Sequence, residues 1–267
     1  MESVATGRHV LKKRIIPKFL LRRGRLFKGL RFHENVREAG NPVSTAKVYD
    51  SYGVDELIFL DTDATLESRS AVADIIGRVS QEVFMPFTAG GGVTSLEHVN
   101  LLLRAGADKV AVNTAAVEKP GFIRQAARTF GDQCITVSID YRMTSPGVHR
   151  VFTHAGRQET GLDPIEWALR MQDESCGEVL LCSVDRDGTM AGYDLEMVTR
   201  ASERLDVPLI ASSGAGSLQD CIDAFTAGAS AIAISSLFLF TDHSPIKVRS
   251  YLWSKGIDVR ASTSSRN

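Results

Sequence analysis

The sequence predicts an α/β protein, namely a closed (β/α)8 TIM barrel with an internal half-barrel repeat. Three observations support this prediction. The 267 residues match the roughly 250 residues typical of one such barrel. Short apolar runs alternate with helical patterns along the chain. Two similar glycine-containing stretches place Gly91 and Gly214 at a shift of 214 − 91 = 123 residues, which is near half the chain length.

The alternation divides into eight units of one strand and one helix. The strand segments are nearly continuous apolar runs, as expected of parallel strands that are buried on both faces. Most of the helical segments begin at Pro, Ser or Asp, which favour the first positions of a helix. In chain order, the predicted strand and helix of each unit are 14–21 with 42–52, 56–61 with 70–81, 86–89 with 95–105, 109–112 with 121–129, 135–141 with 164–174, 178–184 with 194–205, 208–212 with 217–227, and 231–234 with 245–255.

Two connections have patterns of their own. Residues 23–25 contain a glycine between two arginines, which predicts a turn leading into 26–28. The connection 142–162 is long, and residues 148–154 alternate between apolar and polar side chains. A long connection with such alternation predicts a hairpin that forms a lid over the catalytic face.

One domain is predicted, spanning residues 12–260, with a loose N-terminal extension at 1–11 and a C-terminal tail at 261–267. The net charge of −1 gives no electrostatic basis for nucleic-acid binding, and no apolar run approaches the ~20 residues of a membrane span. The four cysteines have no CxxC spacing and suggest no disulfide framework, so we expect a cytoplasmic protein. No pattern indicates a metal or another cofactor.

Two glycine turns predict anion sites. Gly91 with Gly92, and Gly214 in the other half, each follow an apolar run and precede a helical pattern, where backbone N–H groups can approach an anion. A tight strand-to-helix loop without a ligand is the alternative. Each turn has a polar pair after the next strand, so the first anion site comprises Gly91, Gly92, Asn113 and Thr114, and the second comprises Gly214, Ser235 and Ser236. Two separated sites predict a ligand with two phosphates.

Polar residues at the ends of the predicted strands are candidates for chemistry, because ligands of such barrels lie at the carboxyl ends of the strands. The alternative is that these residues only begin loops or cap helices. The candidates are Asp61, Asn113, Asp140, Asp185, Asp187, Ser212, Ser235 and Ser236.

The chain resembles the cyclase subunit of imidazole glycerol phosphate synthase. The resemblance extends from about residue 11 to 260 and is carried by the runs KRII at 13–16, DELIFLD at 55–61, GADKV at 106–110, VNTAAV at 112–117 and DRDGT at 185–189. It implies a (β/α)8 barrel that receives ammonia from a glutaminase partner in a heterodimer. It also implies cleavage and cyclisation of a bisphosphorylated ribulosyl intermediate to imidazole glycerol phosphate and AICAR, with Asp187 and Gly188 among the substrate-binding residues.

The resemblance implies two catalytic aspartates that act as general acid and base. One maps to Asp140, whereas Leu20 stands at the other position and cannot transfer a proton. Because loss of one such group typically lowers a rate by about 10²–10⁴, cyclase activity is not expected. Ser213 and Lys18 also depart from the family pattern, since a glycine and a small neutral residue are usual at these positions.

The resemblance also implies an ammonia gate at the bottom of the barrel. Its four residues are Arg14, Glu56, Lys109 and Glu178, and Asp108 beside them matches a contact with the glutaminase. The alternative is that the four charges only close the barrel end. A chain that keeps the gate but lacks one catalytic acid resembles a divergent branch of the family that accompanies amidotransferases of surface-polysaccharide sugars, and a sugar-modifying synthetase is then a second candidate partner.

Three functions therefore remain open. They are a cyclase-type lyase, a non-catalytic subunit that relays ammonia, and a phosphosugar isomerase barrel that shares the half-barrel repeat but needs no gate. A histidine operon around the gene favours the first, and a sugar-nucleotide cluster favours the second.

Strand parity makes a further prediction about Lys18. Side chains alternate along a strand, so if Arg14 points into the barrel, Lys18 and Leu20 point inward as well. A buried ammonium should either lose its proton or find a carboxylate, and Asp140 is the best available carboxylate, so we predict an ion pair between Lys18 and Asp140. The alternative is that Lys18 turns outward or extends to solvent.

Overall fold

The structure, a computed structural model, describes residues 12–64 and 73–261. The predicted extension at 1–11, the first residues of the predicted helix 70–81, and all of the predicted tail except residue 261 lie outside the described residues. Within the described residues, no helix combines the length and apolar composition that crossing a membrane requires.

The strands form one sheet that closes on itself. In chain order they are β1 (Arg14–Arg22), β2 (Arg25–Leu30), β3 (Glu34–Gly40), β4 (Leu57–Asp61), β5 (Phe87–Gly90), β6 (Lys109–Val112), β7 (Ile135–Ser145), β8 (Val148–Thr153), β9 (Gln158–Glu159), β10 (Glu178–Ser183), β11 (Leu209–Ser212) and β12 (Ala231–Ile234). Eight of these strands pair in parallel in the order β1, β4, β5, β6, β7, β10, β11, β12, and β12 pairs with β1. The predicted (β/α)8 barrel is confirmed.

The helices cover the outside of the barrel. They are α1 (Pro42–Ser51), α2 (Ala73–Ser80), α3 (Leu96–Arg104), α4 (Thr114–Glu118), α5 (Phe122–Phe130), α6 (Pro164–Asp173), α7 (Leu195–Ser202), α8 (Leu218–Thr226), α9 (Ser236–Phe240) and α10 (Pro245–Ser254). Local sequence fixes several of their starts. The Asn41 side chain accepts hydrogen bonds from the amides of Val43 and Ser44 at α1, and Ser217 and Asp220 form a capping box at α8.

Two hairpins extend from the carboxyl ends of barrel strands. The predicted hairpin at 142–162 is confirmed, since β7 continues past the barrel and pairs antiparallel with β8, which pairs with β9. The other hairpin follows β1, where β2 pairs with β1 and β3 pairs with β2. The sequence predicted the turn before β2 but not β3, because β3 is mostly exposed and has no apolar alternation.

The core has two parts. A large cluster fills the space between the strands and the helices, and a small cluster inside the barrel contains Ile16, Ile58, Leu180, Cys182, Ile210, Ala231 and Ala233. The inner cluster separates two polar layers, one at each end of the barrel. The layer at the carboxyl ends of the strands holds the candidate active site.

The half-barrel repeat is visible in the backbone. Gly91 and Gly214 have φ of 98° and 106°. The residues before α4 and α9 share an unusual conformation, with φ −120° and ψ −83° at Asn113 and φ −129° and ψ −73° at Ser235. Matching turns therefore lie on opposite sides of the barrel mouth.

Candidate active site

The inward-facing side chains of β1 follow the predicted parity. Ile16 lies in the inner apolar cluster, Lys18 reaches β11 through the barrel interior, and Leu20 lines a cavity at the mouth. Lys18 and Leu20 are each 2% exposed. The alternative in which Lys18 points outward is excluded.

Asp140 lies at the same cavity, near the carboxyl end of barrel strand β7. Its Oδ2 accepts a hydrogen bond of 2.9 Å from Asn113 Nδ2, and Ser138 Oγ lies 3.5 Å from its Oδ1. Burial raises the pKa of Asp140 to about 6, against the opposing field of Lys18. Near neutral pH, this carboxyl group can therefore both give and accept a proton.

Leu20 lines this cavity together with Asp140. Because an alkyl side chain has no exchangeable proton, the residue pair predicted to act as acid and base contains only one titratable member. A leucine there also makes this wall of the cavity apolar.

The predicted ion pair between Lys18 and Asp140 is wrong. Lys18 Nζ donates to Ser212 Oγ at 2.6 Å and lies 3.8 Å from Cys182 Sγ, and no described carboxylate lies within the 4.0 Å that defines an ion pair. Parity sets the direction of Lys18 but not its partner, and Ser212 lies within reach on β11. Burial alone would lower the pKa of Lys18, but Cys182, Asp187 and Asp140 nearby raise it above its usual value.

The first anion site forms one side of the mouth. Gly91 is required there, because a Cβ at this position would lie 2.0 Å from the backbone oxygen of Asp61. Thr114 Oγ1 accepts a hydrogen bond of 3.1 Å from the amide of His154, which lies between β8 and β9. The cavity that these residues share with Asp140 has a volume of about 80 Å³.

The second anion site contains a buried ion pair. Asp187, predicted to bind substrate, accepts two hydrogen bonds from Lys28 Nζ on β2, at 2.7 and 2.8 Å. Both side chains are at most 2% exposed. Desolvation lowers the pKa of Lys28 despite this pair. The cavity lined by Lys28, Asp187, Gly214 and Ser235 has a volume of only about 10 Å³.

The structure brings the four predicted gate residues together at the opposite end of the barrel. Arg14 lies 2.8 Å from Glu56 and 2.9 Å from Glu178, while Lys109 lies 3.0 Å from Glu56 and 2.8 Å from Glu178. Burial alone would raise the pKa of Glu178, but Arg14 and Lys109 hold this pKa below its usual value. These residues, the gate ring, form a closed cycle of alternating charge.

A basic depression leads from the outside to the gate ring. It has a volume of about 250 Å³ and is lined by Lys12, Arg14, Lys109, Gln133, Gly177, Glu178, Pro208, Ser230 and Arg260. Asp108, the predicted glutaminase contact, is exposed at this end of the barrel. One of its oxygens accepts a hydrogen bond of 2.9 Å from the amide of Phe87.

Residues 14–244 match the family model described as histidine biosynthesis protein. This chain belongs to that family. Its match covers most of the sequence and includes the gate ring, both anion sites and Asp140.

Two contacts of this end of the barrel were not predicted. They are the ion pair of Lys28 with Asp187 and the hydrogen bond from Lys18 to Ser212. Lys28 lies within the apolar run of β2, and a lysine in such a run signals a buried partner. Its partner Asp187 is 159 residues away, so the pair itself has no local signal. The remaining candidates at strand ends have structural contacts: Asp61 Oδ1 accepts from the amides of Asp63 and Ala64, and Asp185 Oδ2 accepts from the amide of Met143.

Proposed function

We propose that this chain is the barrel subunit of a glutamine amidotransferase, that it receives ammonia from a glutaminase, and that it passes the ammonia on without cyclising a substrate. The consuming reaction is amidation of a surface-polysaccharide sugar by a partner synthetase. The observation that carries the proposal is the closed gate ring in a barrel whose predicted catalytic pair has lost one member.

The interior of the barrel suits a small neutral molecule. Above the gate ring lies the apolar layer of Ile16, Ile58, Leu180 and Ile210, which disfavours an ion. The next inward side chain on β1 is Lys18, whose raised pKa keeps it cationic. An ammonium ion is therefore rejected by both the apolar layer and the cation, whereas neutral ammonia is rejected by neither.

The face around the gate ring has features of a partner surface. Phe84, in the loop that precedes β5 at this end of the barrel, is 97% exposed. Aromatic side chains are enriched among the residues that contribute most to protein interfaces. The exposed Phe84, together with the basic depression, supports a glutaminase that offers an apolar pocket beside an acidic rim.

Co-purification with any glutaminase encoded beside this gene tests the partnership. We expect a complex and a rise in glutamine hydrolysis on mixing. Phe84→Ser should weaken the complex by about tenfold or more, because it removes the exposed ring. Phe240→Ser is the matched control, since Phe240 is 51% exposed but follows β12 at the other end of the barrel. Absence of a complex, or equal effects of the two variants, contradicts the proposed surface.

A cyclase remains the second candidate, favoured by the pKa of about 6 at Asp140. Ammonium salts at high pH bypass the glutaminase and test the chemistry directly. With the bisphosphorylated ribulosyl intermediate, we expect little imidazole glycerol phosphate from the unaltered chain and an increase with Leu20→Asp, which supplies the second proton-transfer group. Turnover by the unaltered chain equal to that of a cyclase with both aspartates would establish the second candidate instead.

A further inference from the structure

We propose that a cavity on the outer rim of the barrel binds a small organic cation, with a guanidinium at one end of an alkyl chain and an ammonium at the other. This rim cavity lies between the hairpin of β7 and β8, the loop that follows β10, and the N-terminal parts of α7 and α8. It shares no lining residue with the cavities at the two anion sites. The inference therefore goes beyond the proposed function and does not depend on it.

The rim cavity has the size of a small-molecule site. Its volume is about 670 Å³, against about 80 Å³ beside the first anion site. Ligand sites commonly enclose about 300–1,000 Å³ and combine apolar walls with a few polar groups. Met143 and Leu195 line the rim cavity and are 54% and 38% exposed. These two side chains can contact an alkyl chain while the charged ends of the ligand reach polar groups.

The wall of the rim cavity carries an excess of negative charge. Its carboxylates belong to Asp185, Asp194, Glu196, Asp220 and Asp223. Arg186 also lines the cavity, but its Nη1 donates to the backbone oxygens of Ala191 and Gly192 rather than to a carboxylate. A concave surface lined by one sign of charge attracts the opposite sign. The rim cavity therefore favours a cation over an anion.

The carboxylates of the rim cavity lie on two sides. Asp185 and Asp194 accept hydrogen bonds from β7, through a backbone amide and the Tyr141 hydroxyl, respectively. Asp220 and Asp223 belong to α8, on the other side. Within residues 12–64 and 73–261, no three His, Cys, Asp or Glu side chains are grouped so that they could hold a metal ion. The spacing therefore suits a ligand with two separate positive groups.

A buried histidine gives an independent indication of a ligand. His149 on β8 lines the rim cavity and is 5% exposed. Its Nδ1 has no hydrogen-bond partner among the described residues, and its Nε2 lies 3.9 Å from Asp194 Oδ2, which is too far for a hydrogen bond. Buried polar groups are normally hydrogen-bonded. A neutral imidazole has one acceptor nitrogen, so a cationic N–H donor beside Asp194 would satisfy it.

The two sides favour different ends of the ligand. On the side of the hairpin, the His149 imidazole and the carboxylates of Asp185 and Asp194 supply several acceptors, which suits the five donors of a guanidinium. On the side of α8, one oxygen of Asp223 accepts from Gln219 Nε2, and the other has no partner among the described residues. That free oxygen suits the compact ammonium.

Isothermal titration calorimetry of the intact chain with agmatine tests the proposal. Agmatine carries a guanidinium and an ammonium at the two ends of a butyl chain, and we expect it to bind at one saturable site. Butylguanidine is the matched probe, because it lacks only the ammonium. It should bind about tenfold more weakly, the effect of losing one hydrogen bond between charged groups.

Matched substitutions locate the site. Asp194→Asn should weaken agmatine binding by about tenfold, since it removes a charge while asparagine still caps α7. Asp163→Asn is the control, because Asp163 caps α6 but does not line the rim cavity, and it should change binding less than about twofold. Asp223→Asn should weaken agmatine but leave butylguanidine within about twofold. Thermal unfolding verifies that each variant is folded.

Three results would each overturn the proposal. They are no saturable binding of agmatine, equal effects of Asp194→Asn and Asp163→Asn, or equal affinities for agmatine and butylguanidine. The rim cavity contains no residue of the gate ring except none of its four members and none of the two anion sites, so these results leave the ammonia relay untouched.

Discussion

The two sides of the barrel mouth have nearly the same backbone and different contents. Gly91 and Gly214 adopt similar positive φ angles, yet the cavity beside the first is about eight times as large, at about 80 Å³ against about 10 Å³. The difference comes from outside the repeat, because Lys28 arrives on the hairpin after β1. Two copies of one backbone therefore hold different side-chain contacts when a third segment contributes a side chain to one of them.

Removing Lys28 is the strongest way to break this asymmetry. Lys28→Met should lower the free energy of unfolding by about 3–5 kcal/mol, because it leaves Asp187 buried without its cation. The double variant Lys28→Met with Asp187→Leu should recover most of that loss, since an apolar pair replaces the ion pair. Urea denaturation of the single and double variants measures both effects.

Lys47→Met is the control for the loss of an ion pair as such. Lys47 lies 2.8 Å from Glu82, and both side chains are exposed, so its removal should cost less than about 1 kcal/mol. If Lys28→Met costs no more than Lys47→Met, the buried pair with Asp187 stabilises the fold no more than an exposed ion pair does.

On the open side, Asp140 should make stability depend on pH. Its folded pKa of about 6 exceeds the ordinary value of 3.8, so its contribution is fully present below pH 3.8 and is lost as the pH rises through 6. Asp140→Asn should therefore stabilise the fold by up to about 3 kcal/mol at pH 8 and by little at pH 4.

Urea denaturation at both pH values measures this effect, with the exposed Asp206→Asn as the control for a general amide substitution. A gain from Asp140→Asn that is equal at pH 4 and pH 8 would contradict a raised pKa at this position.

The smallest expected effect concerns Ser213, next to the second anion site. Its φ of 83° is costly for a residue with a Cβ. Ser213→Gly should stabilise the fold by about 0.5–1 kcal/mol after the added flexibility of the unfolded chain is subtracted. Ala215→Gly in the same loop should instead destabilise it, because Ala215 is not in the left-handed region. Thermal unfolding of both variants compares them, and a loss with Ser213→Gly would show that its contact with Asp187 outweighs the strain.

The sequence predicted the barrel well because each parallel strand is buried on both faces and leaves a continuous apolar run, as in β4 and β10. The gate ring was predicted residue by residue through the family resemblance, and its members do contact one another; its role remains a prediction. Parity correctly placed Lys18 inside the barrel. Its acceptor could not be predicted, since Ser212 and Asp140 both lie within reach of a long side chain.

The pair of Lys28 and Asp187 escaped prediction for a different reason. A lysine in the apolar run of β2 signals a buried partner but does not say which, and the contact with Asp187, 159 residues away, depends on how far the hairpin folds back over the mouth. That path is set by the pairing of β2 with β3, a mostly exposed strand that left no apolar pattern. Local sequence patterns therefore predicted the strands and helices of the barrel. The side-chain contacts in each half of the mouth depend on distant segments, and these leave no local pattern.

The hydrogen bond from the amide of His154 to Thr114 Oγ1 orients the Thr114 hydroxyl at the rim of the first anion site. A hydroxyl oxygen that accepts from an N–H group turns its own hydrogen away from that donor. While the hairpin of β8 and β9 is in place, the Thr114 hydroxyl is therefore oriented as a donor. If the hairpin lifts, the hydroxyl regains its freedom to rotate, so the position of the hairpin determines whether this edge of the mouth attracts a negative group or is indifferent to it.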